Sequence, residues 1–367
     1  MTVSSKRSIP PPNPQYKWGV YDSKKNNVAG HVRCIFTPQD GWSQPEFVES
    51  PFLSVHGLAP GLHYGQQVYE GLQARRTVKN DVLIFRPASN ASRIANSAIA
   101  VSMPPVSEQL FLDCIHMAVA RNAEYVPPAD FSGSLYIRPV QFGSGCQIGL
   151  EPPDEFIFAV FVQPHIAFHG HGALRALVAE DFDRAATRGT GNVKVGGNYA
   201  PVIRWSREAK KDANGGWGVL LHVDSKTQTY IDEFSTSGFI GIQGPRQGTT
   251  EESSGCPTIV IADSPAAIKS ITSSSVAELA RSFGWTVEKR QVKLDELSSF
   301  TEVLAVGTAA GLVPVTVIRH NSRDATLKFL ADGPCYQKLR DTLKGIQCGS
   351  IEDTFGWCES LRYDEFA

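Results

Sequence analysis

The stretch GTGNVKVGGNYAPVI (residues 189–203) sets one lysine, Lys194, between Val193 and Val195, with glycines at 189, 191, 196 and 197. A lysine side chain ordinarily ends in water, so one enclosed by small and apolar neighbours asks for a chemical reason. In extended backbone the two valines point away from Lys194 and grip the main chain from one side. Gly196 and Gly197 remove side chains, which lets a flat ring come close to the backbone. An amine held away from water sheds its proton more readily and becomes a nucleophile that condenses with carbonyl groups. The stretch therefore reads as a Schiff-base site, without specifying the carbonyl compound.

Other chemistries fit less well. GTGNVK supplies Gly189 and Gly191, but Lys194 stands where the third glycine of a dinucleotide loop belongs, and no acidic residue closes the pattern. GSGCQIG (143–149) has one residue too many, and Pro152 and Pro153 block the helix that would have to follow. Val195 occupies the place of the Ser or Thr that a P-loop requires. His169 and His171 could face one way on a strand, yet no third ligand is near in sequence, so no metal is expected. His31, His56, His63, His165 and His222 are isolated and read as structural. A GxSxG nucleophile elbow is absent, which argues against a hydrolase.

A reactive lysine needs a frame, and the apolar periods outline one. HVRCIF (31–36), DVLIFR (81–86), LYIRPVQF (135–142) and EFIFAVFVQ (155–163) read as strands. ASRIANSAIAV (91–101) places Ile94, Ala98 and Val101 on one helical face. Ser107 is the expected N-cap of a helix burying Leu110, Phe111, Cys114, Ile115 and Ala118. HIAFHGHGAL (165–174) breaks the pattern and reads as the connection to a second domain. Beyond the lysine, PVIRWSREAKKDA (201–213) is helical and stops at Asn214, Gly215 and Gly216. WGVLLHVD and QTYIDEF form a hairpin across Ser-Lys-Thr, and GPRQGTTEESSG (244–255) is a polar surface loop. TIVIAD is a strand, and Thr272 to Gly284 is a helix with the stripe Val276, Leu279, Ala280 and Phe283. EVLAVGTAAGLVPVTVI (302–318) is strand, glycine turn, strand. The expected organisation is a mobile arm over 1–15, a small α/β domain over 16–163, an interdomain loop over 164–173 and a large domain over 174–367.

The totals exclude several classes. At 367 residues, 42% hydrophobic and 20% charged, the chain has material for two domains or one large one. A formal net charge of −2 without a basic block gives no reason to expect nucleic acid or an anionic membrane as a partner. The seven cysteines are irregularly spaced and lack a CxxC, which suits free thiols in a reducing compartment. No apolar run reaches membrane-spanning length and the N-terminus lacks an apolar signal core, so a cytoplasmic location is expected.

GLHYGQQVYEGLQA, LIFRPASNASR, SLYIRPV, GNVKVGGNYAP, YIDEFSTSGF, GTAAGLVPV and GIQCGSIEDTFGW together resemble the branched-chain aminotransferase group of the fold-type IV pyridoxal phosphate (PLP) enzymes. These motifs stand in the family's order and span nearly the whole chain after the arm. The resemblance implies a mixed α/β (α+β) architecture, with a small N-terminal α/β domain and a larger PLP-binding domain on a barrel-like mixed sheet. It places PLP in the cleft between them, within a homodimer whose partner loops close the pocket. It also implies a transaminase moving the amino group of a branched-chain or other apolar L-amino acid to 2-oxoglutarate, with ping-pong kinetics.

Site residues follow from the same resemblance, position by position. Lys194 matches the PLP lysine, and Glu233 the carboxylate that pairs with the pyridine nitrogen and keeps it protonated. Arg93, the helix start at Ile271 and Thr272, and Thr308 match phosphate ligands, the helix N-terminus being a natural anion cradle. Tyr199 matches the tyrosine at the ring hydroxyl. Tyr64, Tyr69, Tyr136 and Arg138 match the substrate pocket, and the Ala309 amide would reach the substrate carboxylate. Arg138 is the planar donor that could take a glutamate carboxylate in a pocket that otherwise takes apolar side chains.

The chain also departs from that pattern. Ser235-Thr236-Ser237-Gly238 replaces the usual Gly-Thr-x-Asn, Gly311 stands where a larger residue is usual, and the mammalian CxxC is missing. Alternatives inside the fold are a D-amino acid or (R)-amine transaminase, an aminodeoxychorismate lyase-like elimination, or a secondary-pathway transaminase with an unusual apolar donor. A catalytically dead binding protein is the alternative from another class.

Overall fold

In a computed structural model of the protein, the residues described are 8–18, 28–166, 172–212, 215–244 and 255–367. The chain divides into two units. The first comprises residues 1–166, Lys194–Gly196 and Gly345–Ala367; the second comprises Ala167–Val193 and Gly197–Lys344. Lys194, with Val195 and Gly196, thus groups with the N-terminal part of the chain, although the segments flanking these three residues belong to the second unit.

The first unit is built on β1 (His31–Thr37), β2 (Gly41–Trp42), β3 (Glu46–Val48), β4 (Gln67–Tyr69), β5 (Leu72–Arg76), β6 (Val82–Phe85), β7 (Ser134–Gly143) and β8 (Phe156–His165). A late strand, Cys358–Ser360, pairs antiparallel with β6 and forms one edge of the sheet. From that edge the order runs β6, β5, β7, β8, β1, β2. Alternation in β7 explains its placement. Leu135, Ile137 and Pro139 are buried, while Tyr136, Arg138 and Val140 face the other way and are half-buried. The helices Pro87–Ala100 and Glu108–Ala120 cover the apolar face, with Ile94, Ala98, Phe111, Cys114 and Ile115 buried. Phe111 and Phe158 meet with ring centroids 5.8 Å apart. Each such side chain contributes about 1.5–3 kcal/mol of burial. Ser107 caps the second helix as expected, its hydroxyl accepting from Leu110 N–H. Val101 is the C-cap of the first helix rather than part of its stripe, and Leu110 is only half-buried.

The second unit carries β9 (Leu174–Val178), β10 (Val219–Val223), β11 (Ile231–Phe234), β12 (Gly238–Gln243), β13 (Thr258–Ala262), β14 (Thr286–Arg290), β15 (Glu302–Gly307), β16 (Gly311–His320) and β17 (Ala325–Lys328). The order is β11, β10, β9, β16, β15, β12, β13, β14, with β17 on β16. β9 runs parallel to both β10 and β16, and β13 parallel to β14; the remaining pairs are antiparallel. β11 and β12 sit far apart in that order, yet the Phe234–Ser237 turn joins them and their Phe234 and Phe239 rings lie 5.7 Å apart. The sheet therefore curls back on itself, as a barrel-like sheet must, around Leu221, Phe234, Phe239, Val260, Phe300, Ala305 and Val315.

Two junctions matter for the site. The parallel pair β13–β14 needs a crossover, and the helix Ile271–Ser282 supplies it. The β15–β16 turn depends on Gly311, whose φ of +72° suits a residue without Cβ. The hairpin expected from WGVLLHVD and QTYIDEF is β10–β11, with a longer connection than Ser-Lys-Thr. His169, His171 and residues 245–254 of the expected polar loop lie outside the described residues.

Candidate active site

In the first unit, the backbone of Lys194 is held on both sides. Its N–H donates to Ser97 Oγ at 3.0 Å, its carbonyl accepts from Tyr69 N–H at 3.1 Å, and Val195 bridges to Val68. The amine lies over the Tyr69 ring, 4.7 Å from the centroid. Arg138 lies over the same ring at 4.8 Å and over Tyr136 at 5.2 Å, where Nη2 donates to Tyr136 Oη at 2.9 Å. Arg138 Nε is buried and has no partner among the described residues. A Cβ at residue 71 would come within 2.1 Å of Tyr136 Oη, so Gly71 makes room for the phenol. One aromatic wall thus serves two cations. Tyr64 stands outside this cluster: it is 48% exposed and its hydroxyl donates to the Ile148 carbonyl.

Arg93 projects from the helix Pro87–Ala100 onto Glu70, which follows β4. Nε donates to Oε1 at 2.6 Å and Nη2 to Oε2 at 2.7 Å. Asn90 Nδ2 donates to Oε2 at 2.7 Å and Gly71 N–H at 3.2 Å. Glu70 is completely buried. Burial works to raise its pKa, but the charge and hydrogen bonds of Arg93, the charge of Lys194 and the Asn90 bond hold it below the usual carboxylate value.

In the second unit, Glu233 lies on β11 and is reached by Arg184. The Arg184 Nη2 group lies 2.7 Å from Glu233 Oε1 and also donates to the carbonyls of Ala266 (2.6 Å) and Gly191 (3.1 Å). Arg184 Nε and Nη1 are buried without a partner among the described residues. His222 pairs with Glu233 across the β10–β11 ladder, and its Nε2 lies 3.0 Å from Ser235 Oγ. Burial, reinforced by the Arg184 charge, pushes the His222 imidazole down to about 3, so it is neutral. Burial raises Asp232, which accepts from Ser264 Oγ.

Two of the phosphate candidates, Ile271 and Thr272, open the helix Ile271–Ser282. Ser270 caps it, accepting from Ser273 N–H at 3.1 Å, and Thr272 is buried. A cavity of about 290 Å³ in this unit is lined by Glu233, Gly238, Ser270 and Ser273 among others. Gly238, where the resemblance leads one to expect Asn, leaves that space open. Thr308 and Ala309 sit in the β15–β16 turn, and its Gly307 lies against Thr236 and Ser237. Tyr199 follows the single turn Gly196–Asn198, and its carbonyl accepts from Val202 N–H.

Within each unit the groups present have the chemistry that PLP calls for. The first carries the Lys194 amine, which could condense with an aldehyde, and the Arg93 guanidinium, which could meet a phosphate; the second carries the Glu233 carboxylate, suited to a pyridine nitrogen, and the N–H groups of the helix start at Ile271, suited to an anion. Sequence reasoning missed Glu70 and Arg184. A lone acid between Tyr69 and Gly71, at the junction of two short strands, was a signal for the first. Nothing local marked the second, whose partner lies a hairpin and a helix further on.

Comparison with known proteins fits the geometry. Residues 67–318 match the amino-transferase class IV family. The aminotransferase TOXF of Cochliobolus carbonum is 68% identical over 96% of this chain and 97% of its own length. The aminotransferase apf4 of Gibberella fujikuroi is 62% identical over 98% and 94%. In fold, the branched-chain amino acid aminotransferase of Escherichia coli superposes with a TM-score of 0.72 at 22% identity, over 92% of this chain and all of that one. The PLP-form of the branched-chain amino acid aminotransferase from Thermobaculum terrenum gives 0.70 at 20% identity, over 92% and 99%. With its mixed, curled sheets and this set of groups, the chain belongs to the class IV aminotransferases, the fold-type IV transaminases that depend on PLP.

Proposed function

We propose that the chain transfers the amino group of a branched-chain or other apolar L-amino acid to 2-oxoglutarate. The observation that carries this reading is the shared Tyr69 wall, with the Lys194 amine and the Arg138 guanidinium both stacked over it. An apolar donor side chain suits the aromatic surface, and the distal carboxylate of the acceptor suits the Arg138 fork. PLP, when bound, supplies an aldehyde that condenses with amines and a ring that withdraws electrons.

The residues of the chain divide the remaining work. Lys194 would hold the cofactor through Nζ, and the same Nζ, when free, would take the proton from the donor's α-carbon and hand it on to the carbon that bore the cofactor's aldehyde oxygen. Glu233 would hold the proton on the pyridine nitrogen. Arg93, the N–H groups at Ile271 and Thr272, and the Thr308 hydroxyl would hold the phosphate. Tyr199 would meet the ring hydroxyl, and the Ala309 amide the substrate carboxylate. Tyr69 and Tyr136 would form the apolar wall, from which Tyr64 stands apart.

A homodimer is part of the proposal. Leu58, Leu62, Tyr64, Ile148 and Leu150 are all at least 40% exposed. They are tied together by Tyr64 O–H to the Ile148 carbonyl and Gln147 N–H to the Leu58 carbonyl. A cluster of that kind is suited to burial against a second copy. Among the described residues no helix is long and apolar enough to cross a membrane. The seven free cysteines support a cytoplasmic setting.

The test is a donor screen against 2-oxoglutarate with L-leucine, L-valine, D-alanine and (R)-1-phenylethylamine. Turnover with the first two is expected. Preference for either of the last two would replace this reading with the D-amino acid or (R)-amine alternative. The departures at Gly238 and Gly311 are equally compatible with a second version, an unusual apolar donor of a secondary pathway, which extending the screen to longer side chains would detect.

A further inference from the structure

We propose that Glu70 is a positioning residue for the cofactor phosphate and that it acts through Arg93. The inference rests on the reading that Lys194 and Arg93 hold PLP. Its basis is the hydrogen-bond set around one buried carboxylate. Arg93 Nε, Arg93 Nη2, Asn90 Nδ2 and the Gly71 N–H all donate to it. No neutral amide can take its place. A glutamine would turn its NH₂ toward Arg93 Nε in one orientation, and toward Arg93 Nη2, Asn90 and Gly71 in the other.

The fork also fixes a plane. Two parallel bonds from Nε and Nη2 set the orientation of the guanidinium as a single bond could not. The carboxylate is itself anchored by Asn90 on the helix that carries Arg93 and by the N–H of Gly71 on the way to β5. Arg93 is thereby held in one orientation before any ligand arrives, so a phosphate meets a donor already in place. Lys194, whose charge also acts on Glu70, draws the aldehyde end of the site into the same electrostatic group.

Simple electrostatics makes the opposite forecast. A carboxylate near a phosphate repels it, so its removal would tighten phosphate binding if charge alone mattered. Positioning requires weaker binding. The experiment titrates PLP and its phosphate-free analogue pyridoxal into cofactor-stripped protein, following absorbance, for wild type, Glu70→Gln, Arg93→Gln and the double variant. Glu70→Gln is expected to weaken PLP by roughly 30-fold and pyridoxal by less than about 2-fold. In the Arg93→Gln background it should have no further effect on PLP. Tighter PLP binding, equal losses for both vitamers, or a full effect without Arg93 would each overturn the proposal. If Glu70→Gln does not fold by circular dichroism, Asn90→Ala takes its place: a few-fold loss for PLP alone supports positioning, and unchanged PLP affinity overturns it. Wild type that takes up neither vitamer overturns both this proposal and the reading beneath it. Wild type that binds PLP, with Glu70→Gln unchanged, overturns this one alone.

Discussion

Among the described residues, each unit buries a carboxylate against a guanidinium, and the two pairs are built to different standards. In the first, Glu70 is completely buried, accepts four hydrogen bonds and faces Arg93 through a two-pronged fork. In the second, Arg184 reaches Glu233 through Nη2 alone, which also serves two backbone carbonyls, while Nε and Nη1 stay buried and unpartnered among the described residues. A fully satisfied pair acts as an anchor, since removing one member strands the other. A partly satisfied one carries desolvation cost already, and is suited to a place where a ligand joins the network. The contrast matches the proposed division of labour, with Glu70 fixing a donor and Glu233 meeting the cofactor itself.

The largest expected effect lies beside the first pair. Lys194→Ala should reduce transaminase turnover to background, and borohydride reduction of the loaded wild type should label Lys194. Substantial remaining turnover would remove the reason to treat either pair as part of a catalytic site. Breaking the pairs themselves comes next. Arg93→Met should cost about 3–5 kcal/mol in urea unfolding, because it strands a buried carboxylate. Arg184→Met should cost only about 1–3 kcal/mol, because two of its donors are already unsatisfied. Equal losses would erase the distinction between the pairs.

Glu233→Gln should slow each half-reaction on the order of 100-fold in stopped-flow absorbance while PLP still binds. An unchanged rate would argue against the pyridine pairing. A smaller effect concerns acid. The pKa of Glu70 is depressed, so its stabilisation is present above its unfolded value, near 4.5, and is lost only as pH falls below that. The pKa of His222 is depressed from 6.5 to about 3, so the neutral imidazole loses ground to the unfolded state as soon as pH drops below 6.5. That amounts to about 2 kcal/mol by pH 5. The raised carboxyls of Asp232 and Glu302 act the other way and offset part of it, since they favour the folded state as pH falls. Burial lowers His31 in the first unit as well, but by less than His222, so the second unit should loosen first on mild acidification, read by amide exchange in β10–β11 against β4–β5. His222→Gln should flatten the difference.

Much of the frame was legible because it is local. The strands at 31–36, 135–142 and 155–163, the Ser107 cap and the glycine turn before β16 each follow from a few adjacent residues. Lys194 drew attention because its neighbours are small. What stayed hidden depends on partners far away in sequence. Glu70 looks like an ordinary acid until the helix bearing Arg93 is folded against it. Arg184 belongs to no motif until the hairpin brings Glu233 to it. The curl of the second sheet and the grouping of residues 345–367 with the first unit come from pairings that no local period encodes.

That last grouping has a consequence for how the chain is made. The strand Cys358–Ser360 closes on β6, Arg362 binds Asp113, and the Trp357 carbonyl accepts from Arg86 N–H at the start of the helix that carries Arg93. During translation the N-terminal sheet must wait, with one edge bare, until residues 358–360 have been made. By then every strand of the second unit has already been synthesised, so the half that is made first is completed last. A chain cut short of Cys358 would leave that half, rather than the half nearer the cut, for quality-control proteases to find.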